Sequence, residues 1–263
     1  MSRSIEFDID AGGIALLRVN RPAARNALTW SAQEGFAQAV AAAARSTTAR
    51  ALIVTGTGEA FVSGGDLKEL AGHPEASAGE RLNRVMSAAL DGLIALPFPV
   101  IAAVNGDAIG GGCEILTACD LRLAAPQARF AFRQVYNGLT TGWGGGGRLV
   151  ELIGQSRAME VLLTGRAIDA AEAQSLGLLH RVVAPEEDVL AAAQAWAAEL
   201  IRLPRRALAA LKALVHAAAH LPPADTARLE AQLFINLWPS PDHLEATAAF
   251  AQKRPPVFNR EAV

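Results

Sequence analysis

Residues 99–120, PVIAAVNGDAIGGGCEILTACD, decide the fold expected of this chain. Residues 99–104 form a short, continuous apolar run, which is typical of a buried parallel strand. Residues 105–112 include four glycines, and such a turn lets the backbone approach a ligand closely. Residues 113–119 follow as a predicted apolar helix with one acid, Glu114. A helix that begins behind a glycine turn directs unpaired N–H groups at one point, so the stretch predicts a site for an anion, either a bound phosphate or a developing oxyanion.

The composition excludes several classes of protein. The chain has 263 residues, 51% hydrophobic and 19% charged, as in a globular protein with a large core. Its formal net charge of -2 gives no reason to expect nucleic acid or an anionic membrane as a partner. Without an apolar signal core or a long apolar run, we expect a cytoplasmic protein. Cys113 and Cys119 match no zinc or redox spacing, which predicts buried thiols in a reducing compartment.

Strands and helices alternate along the first two thirds of the chain. Strands are predicted at residues 14–19, 51–56, 99–104, 121–124, 129–132 and 178–183. The helices between them include one opened by a capping box at Ser31 and Glu34, one at residues 66–70 and one at residues 80–96. After residue 186 the pattern is helical, with boundaries at Pro204, Pro222, Pro239 and Pro255. This order predicts an α/β core over residues 1–185 and a C-terminal helical subdomain over residues 186–263.

The unit of strand, glycine turn and helix occurs twice, at residues 51–70 and 99–119. Two such turns on one sheet can direct two backbone N–H groups at one oxygen, which forms an oxyanion hole for an enolate or a tetrahedral intermediate. Neither a phosphate-binding P-loop motif nor the G-x-S-x-G elbow of hydrolases occurs. The five histidines form no H-E-x-x-H motif, so no metal site is predicted.

Motifs along nearly the whole chain resemble the enoyl-CoA hydratase/isomerase (crotonase) superfamily. They are NRPAARNAL (20–28), AFVSGGDLKEL (60–70), the opening stretch extended to residue 125, ARFAFRQVYNGLTTGWGGGGRL (128–149), LLTGRAIDAAEAQSLGLLHRVV (162–183) and AFAQKRPPVF (249–258). The resemblance implies a crotonase-like α/β spiral of βαβ turns with a C-terminal helical trimerisation region. It also implies a homotrimer or a dimer of trimers. The implied substrate is an acyl-CoA thioester, and no separate cofactor is expected because CoA is part of the substrate.

Site residues carry over from the family motifs position by position. The two N–H donors that hold the thioester enolate fall on Gly65 and Gly111, and the first of two catalytic glutamates falls on Glu114. By similarity, Ala24 and Arg25 lie near the nucleotide of CoA. In the same way, the following four residues are expected to contact CoA: Ser63 and Asp66 at the pantetheine and adenine pocket, and Phe250 and Lys253 on CoA bound to a neighbouring subunit.

The second glutamate of the family's hydratases falls on Gln134. An amide can orient water, but it cannot exchange a proton at useful pH. Slow hydration would therefore use Glu114 alone, with Gln134 positioning the water. Isomerisation needs one shuttling carboxylate, but the family's isomerases more often keep the later one, which is absent here.

Decarboxylation of a methylmalonyl- or ethylmalonyl-CoA-like substrate is a third possibility. It needs no base for C–C cleavage, and a neutral amide at residue 134 would tolerate a substrate carboxylate. Residues 138–154 and 236–250 resemble the alkylmalonyl-CoA decarboxylase-like branch, and Trp143 adds bulk where hydratases usually have a small residue. Glu114 would repel a second carboxylate unless it is turned away or protonated. The remaining alternative is a non-catalytic acyl-CoA-binding homologue.

Overall fold

The computed structural model describes residues 4–259 and organises them around two sheets. The strands in chain order are β1 (Ile5–Ile9), β2 (Ile14–Val19), β3 (Ala51–Gly56), β4 (Ala60–Val62), β5 (Val100–Val104), β6 (Asp107–Ile109), β7 (Leu121–Ala124), β8 (Arg129–Ala131), β9 (Ile168–Asp169) and β10 (Arg181–Val182). The larger sheet has the order β1-β2-β3-β5-β7-β10, and the smaller has the order β4-β6-β8-β9. All neighbouring strands are parallel except β1 with β2 and β8 with β9.

Three successive strand pairs make this architecture a spiral. In each of the pairs β3–β4, β5–β6 and β7–β8, the first strand joins the larger sheet and the second joins the smaller one. The pairs lie side by side in register, so that Ile53 is opposite Ile101 in one sheet and Ala60 is opposite Asp107 in the other. Consecutive turns of the spiral therefore place equivalent loops next to one another, and the predicted crotonase-like α/β spiral is confirmed.

Helices cover both faces of the larger sheet. They are α1 (Trp30–Arg45), α2 (Leu67–Leu70), α3 (Ala76–Ile94), α4 (Gly111–Thr117), α5 (Gly145–Ile153), α6 (Gln155–Thr164), α7 (Ala170–Ser175), α8 (Val189–Leu200), α9 (Arg205–His220), α10 (Pro223–Leu237) and α11 (Pro241–Ala251). Alternate residues of β3 enter different cores: Leu52 and Val54 pack in the main core with α1 and α3, whereas Ile53 packs in a second core with α8. Burial on both faces explains why β3 and β5 read as continuous apolar runs.

Several predicted boundaries are confirmed and others are wrong. The strands at residues 14–19, 51–56 and 121–124 have the predicted bounds. The capping box at Ser31 is wrong because Thr29 is the N-cap of α1, with its hydroxyl accepting a hydrogen bond from the Ala32 N–H. Helices α3 and α4 begin four and two residues earlier than predicted, at Ala76 and Gly111.

The C-terminal region is helical, as predicted. Pro204 and Pro222 directly precede α9 and α10, and Ser240 caps α11 through a hydrogen bond from the His243 N–H. The proposed boundary at residue 185 stays a prediction, and α8 beyond it packs on the larger sheet. Among residues 4–259, no helix combines the length and the apolarity needed to cross a bilayer.

Candidate active site

The two glycine turns lie against each other at one edge of the smaller sheet. Strands β4 and β6 are parallel neighbours, so the loops that follow them leave the sheet in the same direction. The backbones then approach so closely that a Cβ atom built on Gly64 would lie 3.0 Å from the Gly111 nitrogen. Gly64 also has a φ of +87°, which favours glycine. The structure thus brings together the two turns that the sequence singles out.

The hydrogen bonds around these turns involve the neighbours of Gly65 and residues of α4 that follow Gly111. Leu28 forms a parallel bridge with Gly65, in which its N–H donates to the Gly64 oxygen and its oxygen accepts from the Asp66 N–H. These bonds use the groups on either side of Gly65, so the N–H of Gly65 itself points away from Leu28. Gly111 is the first residue of α4, where an N–H has no partner inside the helix, and the Gly110 N-cap has no side chain to cap it.

Glu114 lies in the first turn of α4, and its side chain is 2% exposed. Its carboxylate accepts four hydrogen bonds. Oε1 accepts from Gln134 Nε2 at 2.9 Å and from the Gly142 N–H at 3.3 Å, and Oε2 accepts from the N–H groups of Trp143 and Gly145 at 2.7 and 3.0 Å. All four partners are donors, which is the pattern that an ionised carboxylate satisfies. The start of α5 therefore acts as a binding site for the Glu114 anion.

The Gly142–Gly147 turn fits closely around Glu114. A Cβ atom on Gly145 would lie 2.4 Å from Glu114 Cγ, so only glycine leaves room for this side chain. Arg148 connects α4 to the same turn, because its guanidinium donates to the backbone carbonyl oxygens of Glu114 and Trp143 at 3.3 and 2.7 Å. Burial lowers the pKa of Arg148, an effect that the nearby Glu114 charge opposes.

Trp143 and Gln134 complete the surroundings of the acid. The Trp143 indole is buried directly against Gly111, where a Cβ atom on that glycine would lie 2.1 Å from Trp143 Cζ3. Gln134 lies in a 3-10 turn, Arg133–Asn137, and turns its NH₂ group to Glu114. Its other terminal atom, Oε1, is buried and has no hydrogen-bond partner in the described part of the chain.

Comparisons with known proteins identify the family of the chain. The sequence model of the enoyl-CoA hydratase/isomerase family matches residues 10–261. The chain belongs to this family, the crotonase superfamily. A probable enoyl-CoA hydratase of Mycobacterium bovis is 35% identical over 93% of this chain and 94% of its own. An ethylmalonyl-CoA decarboxylase of Gallus gallus is 32% identical over 92% of this chain and 82% of its own.

Solved structures of the family share the whole fold. The crystal structure of an enoyl-CoA hydratase of Mycobacterium smegmatis has a TM-score of 0.93 and 32% sequence identity to this chain. The match covers 98% of this chain and 99% of that one. The spiral and the C-terminal helices are therefore those of a crotonase-superfamily member.

Four of the predicted CoA contacts lie on two loops of this family member that are joined to each other. The loop with Ala24 and Arg25 meets the loop with Ser63 and Asp66 through the Leu28–Gly64 hydrogen bond. A second link is the ion pair of Arg21 with Asp66, at 2.9 Å. Ala24 and Ser63 are half-buried on these loops, and Ser63 lies two residues before Gly65.

The charged members of this group already have partners. The Arg25 guanidinium lies 2.6 Å from the Asp107 carboxylate. Asp66 caps α2 by accepting hydrogen bonds from the Lys68 and Glu69 N–H groups. The hydrogen bond from Arg21 is the main cause that holds the pKa of Asp66 below its usual value, with burial acting in the opposite direction. A CoA group at this position would meet an organised cluster of charges.

Phe250 and Lys253 lie apart from these loops, at the end of α11. Phe250 is 87% exposed, and Lys253 is also exposed, with its backbone N–H donating to the Phe250 oxygen at 3.2 Å. Their predicted role on CoA of a neighbouring subunit stays a prediction.

The sequence motifs do not indicate the backbone N–H groups of residues 142, 143 and 145 that hold Glu114. They also indicate no role for Arg148. The glycine at residue 145 leaves room for a side chain of another helix, but the local sequence pattern does not identify that side chain.

The cysteines and histidines add no second site. Cys113 and Cys119 are free and buried, and burial raises the pKa of both thiols, that of Cys119 to about 12. His216 lies beside Asp120, with Nε2 3.4 Å from the carboxylate. Among the described residues, no group of histidines, cysteines and acids is placed to bind a metal ion.

Proposed function

We propose that this family member acts on acyl-CoA thioesters and stabilises their enolates with the N–H groups of Gly65 and Gly111. The observation that carries the proposal is the contact between the two glycine turns, with an acid one helical turn behind the second. Two fixed N–H donors at one oxygen favour the enolate over the neutral thioester, because negative charge develops on that oxygen during the reaction. The positive end of α4 adds to this effect.

Glu114 is the acid–base group of the proposed reaction. In hydration of an enoyl-CoA, the water oxygen bonds to C3, a proton of that water goes to Glu114, and C2 then receives the proton from Glu114. Gln134 cannot replace the second acid of the family's hydratases because an amide does not exchange protons at neutral pH. We therefore expect hydration that is slower than with two acids, by about 10²–10⁴.

We expect the reaction to need no separate cofactor, because CoA is part of the thioester substrate. Ala24, Arg25, Ser63 and Asp66 are the proposed contacts to it, supported by their position on two linked loops beside Gly65. Arg25 would exchange its Asp107 partner for a phosphate, which an arginine can bind with two parallel hydrogen bonds. The expected partners include no nucleic acid and no membrane, and the cytoplasmic location stays a prediction.

Decarboxylation of an alkylmalonyl-CoA is the second candidate. The observation in its favour is the similarity to an ethylmalonyl-CoA decarboxylase. The same two N–H groups would stabilise the enolate that remains when CO₂ leaves. Glu114 would then only deliver a proton to C2.

One set of assays tests the proposal. Purified protein is mixed with crotonyl-CoA, and hydration is measured as the loss of enoyl absorbance. In separate samples it is mixed with methylmalonyl- or ethylmalonyl-CoA, and decarboxylation is measured as the release of CO₂. We expect hydration, and we expect Glu114→Gln to lower its kcat by about 10²–10⁴. Glu199→Gln, on the exposed face of α8, is the matched control and keeps the wild-type rate.

Each other outcome has a definite meaning. CO₂ release without hydration assigns the chain to the second candidate. Binding of acyl-CoA without any turnover identifies a non-catalytic homologue. If Glu114→Gln keeps the full rate of whichever reaction occurs, the role assigned to Glu114 is wrong.

We also propose that the C-terminal helices assemble three copies, or two sets of three. Large apolar side chains are exposed there on the single chain: Phe234 and Ile235 at 61% each, and Trp238 at 57%. Contiguous exposed apolar surface of this kind is typical of an interface between subunits. Light scattering on the purified protein gives the mass, and a monomer would refute the proposal.

A further inference from the structure

The Gln134 amide has one satisfied end and one unsatisfied end. Its Nε2 donates to Glu114 Oε1 at 2.9 Å. Its Oε1 is buried and has no partner among residues 4–259. A buried polar atom without a partner is costly, so an acceptor left in this way beside the reactive acid points to a donor supplied by a ligand.

The orientation of this amide is fixed by Glu114. A reversed amide would place its oxygen against Oε1 of Glu114, an oxygen of a carboxylate that three backbone N–H groups hold in place, one at Oε1 and two at Oε2. Two acceptors facing each other repel, whereas the observed orientation gives a charge-assisted hydrogen bond. Glu114 cannot turn to relieve such a contact, because Gly145 and the start of α5 enclose it. As long as Glu114 is ionised, Gln134 therefore presents only its oxygen.

Two cations of the surrounding segments, Arg133 and Arg148, contact other groups. The Arg133 guanidinium lies 4.8 Å from the centre of the Tyr136 ring. Arg148 donates to two carbonyl oxygens behind Glu114. The free Gln134 oxygen is therefore a hydrogen-bond acceptor that lies next to the negatively charged Glu114 carboxylate.

We infer that Gln134 is a specificity-determining residue that favours uncharged acyl groups and discriminates against thioesters with a second carboxylate on the α-carbon. The inference rests on the proposed function and names its substrate class. The attacking water, or the 3-hydroxyl of the hydrated product, can donate a hydrogen bond to the free amide oxygen. A substrate carboxylate has no proton to donate and would face both this oxygen and the Glu114 charge. The expectation that a neutral amide tolerates a carboxylate rests on the lack of charge of the amide. The amide nevertheless presents an acceptor oxygen, because its NH₂ group is bound to Glu114.

Binding of two matched thioesters tests the inference without turnover. Propionyl-CoA and methylmalonyl-CoA differ by one carboxylate, and titration calorimetry gives the Kd of each. We expect the wild-type protein to bind methylmalonyl-CoA at least about tenfold more weakly, a difference of about 1.4 kcal/mol. Release of CO₂ is followed in the same samples.

Three variants assign the effect to its source. Gln134→Glu adds a charge and should widen the Kd ratio, whereas Gln134→Met removes the oxygen and should narrow it severalfold. Glu114→Gln removes the anion and frees the amide to turn, so it should bring the ratio nearest to one. Gln127→Met, in the exposed turn between β7 and β8, is the matched control and should keep the wild-type ratio.

The outcomes separate this inference from the proposed function. If neither thioester binds, the proposed function fails. Equal affinities for the two thioesters in the wild type, or efficient release of CO₂ from methylmalonyl-CoA, would overturn the inference alone. The inference is also overturned if Gln134→Met keeps the wild-type ratio of Kd values while Glu114→Gln brings that ratio to one. Glu114 alone would then cause the discrimination.

Discussion

The two strand–turn–helix units share a backbone course and differ in what their acids do. In the first unit, Asp66 follows Gly65 directly, folds back to cap α2, and pairs with Arg21. In the second unit, Gly110 caps α4 without a side chain, and Glu114 extends from the helix towards the start of α5. One acid stabilises its own turn, and the other is held by a different element.

This difference shows how a repeated scaffold acquires a single reactive group. Both units can offer a backbone N–H, because that depends on the strand pairing and the glycines alone. The position of the acid decides the rest. The carboxylate of an acid at the N-cap accepts hydrogen bonds from the first N–H groups of its own helix. An acid one turn into the helix extends away from those N–H groups and needs hydrogen-bond donors from another element.

Among changes to the glycines of the two units, the largest expected effect comes from placing a methyl group between the two turns. Gly64→Ala would place Cβ 3.0 Å from the Gly111 nitrogen and would strain a φ of +87°. We expect kcat to fall by about 10²–10³, the usual cost of losing one oxyanion donor. Turnover of crotonyl-CoA, or of whichever thioester the wild type converts, is the measurement.

Gly58→Ala is the control for backbone strain. It has a φ of +75° in the loop between β3 and β4, and its Cβ would meet only Pro22, at 3.3 Å. This variant should lose stability by about 1–2 kcal/mol and keep its kcat. If both variants lose activity equally, the contact between the turns has no special role.

A smaller effect is expected where the second unit meets α5. Gly145→Ala would place a methyl group 2.4 Å from Glu114 Cγ and displace the carboxylate from its N–H donors. A displacement near 1 Å costs about 10²-fold in rate, so we expect a loss of about 10-fold to 10²-fold in kcat. Steady-state kinetics with the same substrate gives the value.

Gly147→Ala is the matched control two residues along the same helix. A Cβ atom there meets nothing within 4 Å. Alanine should raise the stability of α5 by about 1 kcal/mol and leave the rate unchanged. A full rate in Gly145→Ala would mean that Glu114 works in another position from the one described.

The sequence predicted the strands of the larger sheet better than those of the smaller one. Strand β3 is buried on both faces and reads as a continuous apolar run over its six residues. Strands β4 and β6 have three residues each and lie within glycine-rich loops, so their pattern is too short to separate from a turn. Their pairing nevertheless brings the two turns together.

The candidate site divides in the same way. Glu114, Gly65 and Gly111 stand in local motifs, and the structure places their segments side by side. The four-donor cradle of Glu114 depends on contacts between residues about 30 positions apart, from α4 to the turn before α5. Local patterns do not encode such contacts. The orientation of Gln134 follows only once those donors are known.

The smallest expected effect is on the stability supplied by the acid of the first unit. Because folding lowers the pKa of Asp66 from its usual 3.8, its contribution is complete above that value and is lost as the pH falls through the folded-state pKa. Asp66→Asn keeps the cap but removes the charge that pairs with Arg21. We expect a loss of about 1 kcal/mol in the free energy of unfolding at pH 7, measured by urea denaturation, and no difference from wild type once Asp66 is protonated.

Asp225→Asn, which breaks the exposed pair with Arg228, should change stability by at most a few tenths of a kcal/mol. An equal loss in both variants would mean that Asp66 stabilises its turn no more than a surface charge does.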